Sequence, residues 1–366
     1  MTEPAPYRGS KPLHFETLDL DGPGPGEVLV EVAAAGLCHS DLSVINGSRP
    51  RVMPLVMGHE AAGIVRDIGP GISDLKPGDK VVFSFLPVCG HCLPCSEGRA
   101  ALCENGAQAN VAGSLLNGHR HFHNQDGQLL HHHLGVSGFS NFTVAVRESL
   151  VKIEDDFPLQ QAALFGCAVL TGVGAVVNTA RVAPGASVAV FGMGGVGLSA
   201  IMGARAAGAG PIIAVDPLAP KLELAKEVGA THVVNASRED AVQAVRDLTS
   251  GGVRYAFEAV GSAKVLATAY QATRRGGTTV TIGLPHPEQQ LTIPAVSLVT
   301  EERTLMGSYM GSAVPSRDIP RFMRMYRQGL LPVDKLMSRT VKLEELNEAF
   351  DDLDQGKVVR QLLTFD

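Results

Sequence analysis

Four of the six cysteines lie in one short segment and could together hold a metal ion. Their spacing is Cys-x2-Cys-x2-Cys-x7-Cys, and the residues are Cys89, Cys92, Cys95 and Cys103. Four soft thiolates suit a tetrahedral Zn²⁺ ion, and such a site is structural because it leaves no position for a substrate. An iron–sulfur cluster is the alternative, but the last spacing differs from the bacterial ferredoxin pattern and no proline follows Cys103. The pattern therefore predicts a closed structural zinc site.

The two remaining cysteines, Cys38 and Cys167, stand apart from this segment. Cys38 lies in the sequence Gly-Leu-Cys-His-Ser-Asp at 36–41, and another potential ligand, His59, lies in Gly-His-Glu at 58–60. Taken singly, each is better explained as a small buried thiol or a hydrogen-bonded core histidine than as a metal ligand. Sequence spacing alone leaves the role of these residues open.

A glycine-rich turn could bind a dinucleotide. The sequence Gly-Met-Gly-Gly-Val-Gly at 192–197 follows the apolar run 187–191 and precedes an alanine-rich segment. Glycines permit the tight turn and let the backbone approach a pyrophosphate, and a helix N-terminus favours anions. An acidic residue, Asp216, ends the next apolar run, where a carboxylate suits the ribose hydroxyls of NAD and repels the 2′-phosphate of NADP. The predicted NAD-binding residues are Gly192, Gly194, Gly195, Val196, Gly197 and Asp216.

The elements that must position these residues change in kind near residue 169. Before it, strand-like runs at 27–33, 63–68 and 80–83 are separated by Pro/Gly turns and predict an antiparallel β-rich domain. After it, strand-like runs alternate with helical patterns, which predicts a doubly wound parallel sheet and an α/β fold. The predicted strands of this sheet are 187–191, 212–216, 232–234, 255–258, 278–282 and 304–307. The predicted helices are 220–228, 238–248, 263–273, 319–328 and 343–353.

The bulk composition is that of an ordinary globular protein. A chain of 366 residues with 45% hydrophobic and 19% charged residues suggests two domains with sizeable cores. The net charge of −6 gives no electrostatic reason to expect a nucleic acid or an anionic membrane as partner. The first ten residues lack the pattern of a secretory signal. We expect a cytoplasmic protein whose cysteines bind metal and form no disulfides.

The order of the motifs along the chain resembles that of the zinc-containing medium-chain alcohol dehydrogenases. These motifs are the segment around Cys38, the Gly-His-Glu motif, the four-cysteine segment and the glycine turn. The resemblance runs from about Pro12 to Phe365. It implies a GroES-like catalytic domain at 1–168 and 308–366, with a Rossmann coenzyme domain at 169–307. It also implies an NAD-dependent enzyme that interconverts a primary or secondary alcohol and an aldehyde or ketone. Each chain would hold two Zn²⁺ ions, one structural and one catalytic.

The resemblance also implies roles for individual residues. The catalytic zinc would have three ligands and one occasional ligand, namely Cys38, His59, Cys167 and Glu60. Ser40 would accept the proton of the substrate hydroxyl, and Asp41 would orient His59. Further cofactor contacts would come from His39, Thr171, Val196, Lys221 and Arg360. The substrate pocket would be lined by Phe85, His133, Leu134 and Leu284. The family implies a homodimer, to which the apolar stretch 291–311 would contribute by extending the sheet across a two-fold axis.

Three features depart from the family pattern. The usual N-terminal strand before Lys11 is short or missing, and Pro4 and Pro6 do not favour one. Many relatives carry a histidine five residues after the first zinc cysteine, where this chain has Ser43. A histidine cluster also occurs between residues 119 and 133, and its members are His119, His121, His123, His131, His132 and His133. An extra metal site is one interpretation of this cluster. We favour a solvated excursion in which only His133 reaches the pocket wall, because the cluster lacks helical or knuckle spacing for ligation.

Three other functions compete with an alcohol dehydrogenase. A glutathione-dependent formaldehyde dehydrogenase shares the superfamily, but the basic residue that it uses for glutathione would fall near Ala107. A zinc-free quinone or enoyl reductase would not need Cys38, His59 and Cys167 together. A catalytically inactive scaffold of the same fold would need neither these residues nor Ser40.

Overall fold

A computed structural model describes residues 1–5 and 10–365 of the chain. The chain forms two compact units. The first consists of Met1–Cys167, Val314–Pro320 and Met337–Asp366, and the second of Ala168–Ala313 and Arg321–Leu336.

The limits of the second unit differ from the sequence-based expectation at the C-terminal side. The sequence predicts a return to the first domain at residue 308, but residues 308–313 and 321–336 pack with the second unit. Hydrogen bonds explain part of this placement, since the Thr179 hydroxyl lies 2.8 Å from that of Ser308 and the Asn178 amide donates to the Gly311 carbonyl at 3.3 Å. Such contacts between distant segments have no local signal in the sequence.

The strands follow one another along both units. They are β1 Asp19–Leu20, β2 Glu27–Gly36, β3 Leu55–Val56, β4 Ala61–Ile68, β5 Lys80–Phe83, β6 Phe122–His123, β7 His131–His132, β8 Phe142–Val146, β9 Leu150–Lys152, β10 Val188–Phe191, β11 Ile212–Asp216, β12 His232–Asn235, β13 Val253–Glu258, β14 Thr273–Thr281, β15 Thr304–Gly307, β16 Met337–Val341 and β17 Arg360–Thr364.

The helices lie between these strands. They are α1 His39–Ile45, α2 Leu93–Ser96, α3 Glu104–Ala112, α4 Leu159–Ala163, α5 Ala168–Gly174, α6 Gly195–Ala206, α7 Ala219–Val228, α8 Ala241–Thr249, α9 Ala263–Ala272, α10 Ala295–Thr300, α11 Pro315–Arg327 and α12 Leu346–Asp354. Short 3₁₀ turns at Ala100–Leu102, Arg147–Ser149, Leu164–Gly166, Met310–Ser312, Val333–Leu336 and Leu343–Glu345 and a π-helical turn at Ala175–Thr179 complete the list.

The first unit is built on a seven-stranded sheet. Its strand order is β16-β17-β2-β4-β5-β9, and β8 also pairs with β2. Pairing is antiparallel except between β16 and β17. Along β2, alternate valines at 28, 30 and 32 are buried, as expected for a strand with one face in the core. This β-rich unit matches the GroES-like part of the predicted fold class.

The second unit contains a parallel six-stranded sheet of order β12-β11-β10-β13-β14-β15. The order reverses between β10 and β13, so ligands are expected beyond the carboxyl ends of these two strands. All four residues of β10 are buried, as is usual for a central strand of a parallel sheet. The predicted doubly wound sheet and its six strands are confirmed.

No single helix among residues 1–5 and 10–365 is long and apolar enough to cross a membrane. One pair of helical segments reaches the length and apolar composition of a membrane span, but only when the two are joined across a bend. These segments are Leu159–Gly166 and Ala168–Thr179.

Candidate active site

The four-cysteine segment closes into a knuckle in the first unit. The sulfur atoms of Cys89, Cys92, Cys95 and Cys103 all lie within 4.8 Å of one another. Backbone N–H groups point at these sulfurs, since Cys92 donates to the sulfur of Cys89 at 3.4 Å and Gly106 donates to that of Cys103 at 3.4 Å. N–H donation to sulfur stabilises thiolates, which are the form that binds metal.

The ionisation of these thiols fits a bound cation. Burial opposes ionisation of Cys89, but the N–H groups of His91 and Cys92 outweigh it and lower its pKa to about 6. Burial and the neighbouring Cys92 raise the pKa of Cys95 to about 12. Four adjacent thiols therefore cannot all ionise by themselves, and a dication would stabilise the four charges together. The donor set fits Zn²⁺.

A second donor cluster lies in the core of the same unit. It brings together Cys38, His59, Glu60 and Cys167, whose ligand atoms lie within 4.8 Å of one another. All four residues are buried. The structure thus assembles the four residues that the resemblance implies and that sequence spacing could not join.

Local backbone geometry explains how His59 and Glu60 reach this cluster. Gly58 has φ +94°, and a Cβ atom there would lie 2.5 Å from the backbone nitrogen of Phe139. Only glycine adopts this conformation without strain and leaves room for the neighbouring chain. The turn at Gly58 leads into β4, and the two site residues come directly before that strand. Gly58 is therefore required by geometry in the Gly-His-Glu motif.

Asp41 holds two site residues at once. One carboxylate oxygen accepts from the Cys38 backbone N–H at 3.2 Å at the start of α1, and the other lies 2.8 Å from Nδ1 of His59. A carboxylate on one ring nitrogen fixes the orientation of the imidazole and leaves Nε2 free to bind a metal. Burial opposes ionisation of Asp41, but His59 and His133 outweigh it and lower its pKa. The predicted orienting contact between Asp41 and His59 is present.

The two thiols of the second cluster influence each other's ionisation in opposite directions. A hydrogen bond from Cys167 holds the pKa of Cys38 well below its usual range, although burial opposes this shift. The same hydrogen bond and burial raise the pKa of Cys167. A dication between the sulfur atoms would stabilise both as thiolates, so the pair fits a metal better than it fits two isolated core thiols.

Glu60 is the least satisfied group of the cluster. Its side chain has no exposed surface, and neither carboxylate oxygen has a hydrogen-bond partner among the residues that the structure describes. Burial raises its pKa to about 7, while the Arg360 guanidinium, 3.6 Å away, acts in the opposite direction. Arg360 is itself held by the Leu37 carbonyl at 2.9 Å. A buried carboxyl group without hydrogen-bond donors, beside the candidate ligands Cys38 and His59, fits the role of occasional ligand that the resemblance implies.

The glycine turn of the second unit has the geometry of a dinucleotide loop. Gly192 has φ +96°, and a Cβ atom at Gly197 would overlap the Gly192 carbonyl oxygen. Space is open around Gly194, where a Cβ atom would have no neighbour within 4 Å. No side chain caps α6 at Gly194, so the free N–H groups at its start remain available to an anion. The residues present fit a bound pyrophosphate.

Asp216 lies at the end of β11 beside this turn. Its carboxylate accepts from the backbone N–H of Met193 at 2.8 Å and from that of Leu218 at 2.9 Å. The side chain is therefore fixed next to the glycine turn, and each oxygen keeps a second lone pair for a ribose hydroxyl. Sequence analysis missed the contact with Met193, which ties the acidic residue to the phosphate loop.

The other residues implied for the cofactor fall in both units. Thr171 is buried in α5, and Lys221 is half-buried in α7. In the first unit, His39 is exposed at the start of α1, and Ser40 beside it is half-buried. Ser43 donates to the His39 carbonyl at 2.9 Å, so its hydroxyl is engaged within its own helix.

Three of the four predicted pocket residues lie in the first unit, and two of them contact His59 of the second cluster. The rings of Phe85 and His133 each contact His59 edge-on, with centroids 5.7 Å away. Leu134 is buried next along the chain. Leu284 belongs to the second unit and is 50% exposed, so it is not joined to the other three within either unit.

The histidine cluster is more buried than the sequence predicts. His121 and His132 are buried together with His133, so the interpretation of a solvated excursion is wrong for two further members. The imidazoles of His119 and His121 lie against the buried carboxylate of Glu27. The spacing of the histidines along the chain could not reveal their contact with Glu27, because this carboxylate lies far away in the sequence.

Comparisons with known proteins agree with this geometry. Residues 24–155 match the family model for the alcohol dehydrogenase GroES-like domain, and residues 195–328 match that for zinc-binding dehydrogenases. The chain is 40% identical over 361 residues to an NDMA-dependent alcohol dehydrogenase of Amycolatopsis methanolica, covering 98% of this chain and 96% of the relative. It is 35% identical over 364 residues to an S-(hydroxymethyl)glutathione dehydrogenase of Paracoccus denitrificans, covering 97% of both. The chain belongs to the zinc-containing medium-chain alcohol dehydrogenase family.

A solved structure of this family is also similar. The benzyl alcohol dehydrogenase of Acinetobacter calcoaceticus matches with a TM-score of 0.91 and 33% identity, covering 99% of this chain and 98% of that one. The predicted family, fold class and enzyme class, an oxidoreductase acting on alcohols, are confirmed. Membership of this family also implies that the protein uses zinc, a nicotinamide cofactor and a small-molecule substrate. The roles of single residues stay predictions.

Proposed function

We propose that this protein is an NAD-dependent alcohol dehydrogenase that holds two Zn²⁺ ions per chain. It would catalyse the reversible oxidation of a primary or secondary alcohol to an aldehyde or ketone. The observation that carries the proposal is the buried cluster of Cys38, His59, Glu60 and Cys167, in which two thiols and an imidazole converge. Three protein ligands of this kind leave a zinc position open, in contrast to the closed four-cysteine knuckle.

The chain's own residues supply binding, orientation and a proton path. A bound zinc ion would polarise the substrate oxygen, and NAD would take up the hydride. Cys38, His59 and Cys167 would hold the metal, with His59 kept in one orientation by Asp41. Ser40 would accept the hydroxyl proton of the alcohol. Phe85 presents an apolar ring beside His59, which favours alcohols with an apolar substituent.

The activity can be tested with a panel of primary, secondary, aromatic and terpenoid alcohols, by following the formation of NADH. Turnover of at least one class supports the proposal, and an inactive zinc-loaded protein across the whole panel and the matching carbonyls indicates a scaffold. S-hydroxymethylglutathione belongs in the panel because the relative from Paracoccus denitrificans is named for it. Ala107, at the expected position of a basic glutathione contact, lies in α3 and is exposed. We therefore expect little preference for this substrate over simple alcohols.

Preference for NAD over NADP is expected to depend on the charge of Asp216. A carboxylate at this place repels a 2′-phosphate and accepts from ribose hydroxyls, each hydrogen bond to a charged group contributing about 1.5–3 kcal/mol. Asp216→Ser should therefore narrow the ratio of kcat/KM for the two cofactors by roughly tenfold or more. The measurement is kcat/KM with each cofactor at one alcohol concentration.

Asp216→Asn is the matched control for the loop contacts. It keeps an acceptor for the Met193 N–H while it removes the charge. Asp216→Asn should also narrow the ratio of kcat/KM between NAD and NADP if charge repulsion decides the cofactor preference. Equal use of both cofactors by the unmodified protein would refute the assignment of NAD.

We propose a homodimer that forms along β15. This strand ends the six-stranded sheet, and within the described residues no strand pairs with its outer edge. The adjacent α10 exposes apolar side chains, with Val296 66% and Val299 78% exposed. An open strand edge beside apolar surface suits an isologous contact between two copies.

The mass in solution tests the dimer. Light scattering at micromolar concentration should give twice the 38.4 kDa of one chain. Val299→Glu should shift the protein toward the monomer, whereas Val111→Glu, at a 64% exposed position of the first unit, should not. A monomer or tetramer mass for the unmodified protein would contradict the proposal.

We further propose a cytoplasmic location. All six cysteines are free thiols, and each belongs to one of the two metal-binding clusters. Thiolate ligands suit a reducing compartment. Cell fractionation with detection of the protein tests this, and recovery in a secreted fraction would overturn it.

A further inference from the structure

A third cluster of metal-binding side chains lies in the first unit, apart from both cysteine clusters. It consists of Glu27, His119 and His121, whose ligand atoms lie within 4.8 Å of one another. We propose that these three residues form a binding site for a divalent transition-metal cation such as Zn²⁺. Two imidazoles and one carboxylate are a common ligand set for such cations, with solvent in the remaining positions.

The carboxylate at the centre of the site is held ready for a cation. Glu27 has no exposed surface, yet its oxygens accept from the Gly24 backbone N–H at 2.6 Å and from the Asn117 amide at 2.7 Å. A buried ionised carboxylate needs a positive partner nearby, and such outer hydrogen bonds are typical around metal-ligating carboxylates.

The two histidines approach different oxygens of this carboxylate. Nδ1 of His119 lies 2.8 Å from one oxygen, and Nε2 of His121 lies 3.0 Å from the other. Two donor atoms that bind one tetrahedral zinc ion at about 2.0–2.2 Å lie roughly 3.4 Å apart. The two separations therefore need to lengthen by only about half an ångström for a cation to take the place of a shared proton.

The state of His121 favours the cation. Its side chain is only 8% exposed, and among the described residues neither ring nitrogen makes a hydrogen bond of good geometry, although Nε2 lies 3.0 Å from the Glu27 carboxylate. A buried imidazole without hydrogen bonds is costly, and a cation next to Nε2 would remove half of that cost. His119 is 55% exposed, so solvent can enter the site and complete the coordination.

Backbone contacts explain why the two imidazoles meet. Residues 119 and 121 lie just before β6 with one residue between them, and their rings meet edge-on with centroids 6.1 Å apart. The His119 carbonyl accepts from the Leu115 N–H at 2.9 Å, and the His121 carbonyl accepts from the Asp21 N–H at 3.0 Å. The His-x-His pair is therefore fixed before any metal binds.

Calorimetric titration of Zn²⁺ into the zinc-loaded, dialysed protein tests the site. One additional Zn²⁺ per chain should bind, more weakly than the ions of the cysteine clusters. His119→Ala and Glu27→Gln should each weaken this binding by about tenfold or more. His123→Ala is the matched control, because His123 lies in the same segment but pairs with Asp21, and it should change the affinity by less than about twofold.

Histidine NMR of the unmodified protein provides a second measurement that needs no variant. Zn²⁺ should shift the imidazole signals of two of the twelve histidines, and it should raise the melting temperature. The proposal is overturned if no additional zinc binds. It is equally overturned if the zinc binds as tightly to His119→Ala as to the parent, or if His123→Ala abolishes it. These differences between variants do not depend on catalytic turnover.

Discussion

Cys38→Ser is expected to abolish turnover while the fold is kept. Cys38 is a buried thiol of the second cluster, within 4.8 Å of the donor atoms of His59 and Cys167. A hydroxyl is a far weaker zinc ligand than a thiolate, so the variant should lose the catalytic zinc ion and with it the position that binds the substrate oxygen. Metal catalysis of this kind contributes several kcal/mol, so kcat/KM should fall by roughly a thousandfold or more. The measurement is kcat/KM with the best alcohol of the panel, together with the zinc content per chain.

The fold should survive this substitution because serine nearly matches cysteine in size and the Cys38 backbone N–H still reaches Asp41. The melting temperature should fall by only a few degrees, and one zinc per chain should remain in the cysteine knuckle. Full activity of Cys38→Ser, or a loss of both zinc ions, would show that the two clusters do not have separate roles.

Cys92→Ser is expected to have the opposite effects. Cys92 belongs to the knuckle, where the sulfur atoms lie within 4.8 Å of one another and no substrate position is left. Loss of one of four ligands should release the structural zinc, whose binding stabilises the folded segment. If this removes about 3 kcal/mol, the melting temperature of the first unit should fall by roughly 6–12 °C. Thermal unfolding followed by circular dichroism measures this effect.

The protein that remains folded should still turn over substrate at low temperature, with kcat within about threefold of the parent. The pair Cys38→Ser and Cys92→Ser are matched controls, since each exchanges one sulfur for oxygen in one cluster. A Cys92→Ser variant with the stability of the parent would contradict a structural role for the knuckle.

Local patterns were sufficient to predict the parallel sheet of the second unit and two of the candidate sites. The cysteine knuckle spans fifteen residues and its spacing already defines a tetrahedral ligand set. Likewise, the glycine turn, the preceding strand and Asp216 are close in sequence, so the position of the dinucleotide site followed from local rules. The six parallel strands were predicted because each is a short apolar run between helical patterns.

Features that depend on contacts between distant segments could not be predicted in this way. Cys38 and Cys167 are brought together only by folding, and the resemblance to a family was needed to join them. The link from Asp216 to Met193 depends on the exact course of two loops. Glu27 begins β2, whereas its histidine partners lie far along the chain, so burial and pairing of the histidine cluster were missed.

Removal and return of the catalytic zinc tests the central claim most directly. Zinc per chain and the rate of NADH formation should be measured in the same samples while a chelator withdraws metal and Zn²⁺ is then restored. We expect the rate to fall in proportion to the loss of one zinc per chain, while the second zinc stays bound, and to recover when that zinc returns. A rate that is unchanged after both ions are removed would contradict catalysis at the cluster of Cys38, His59 and Cys167.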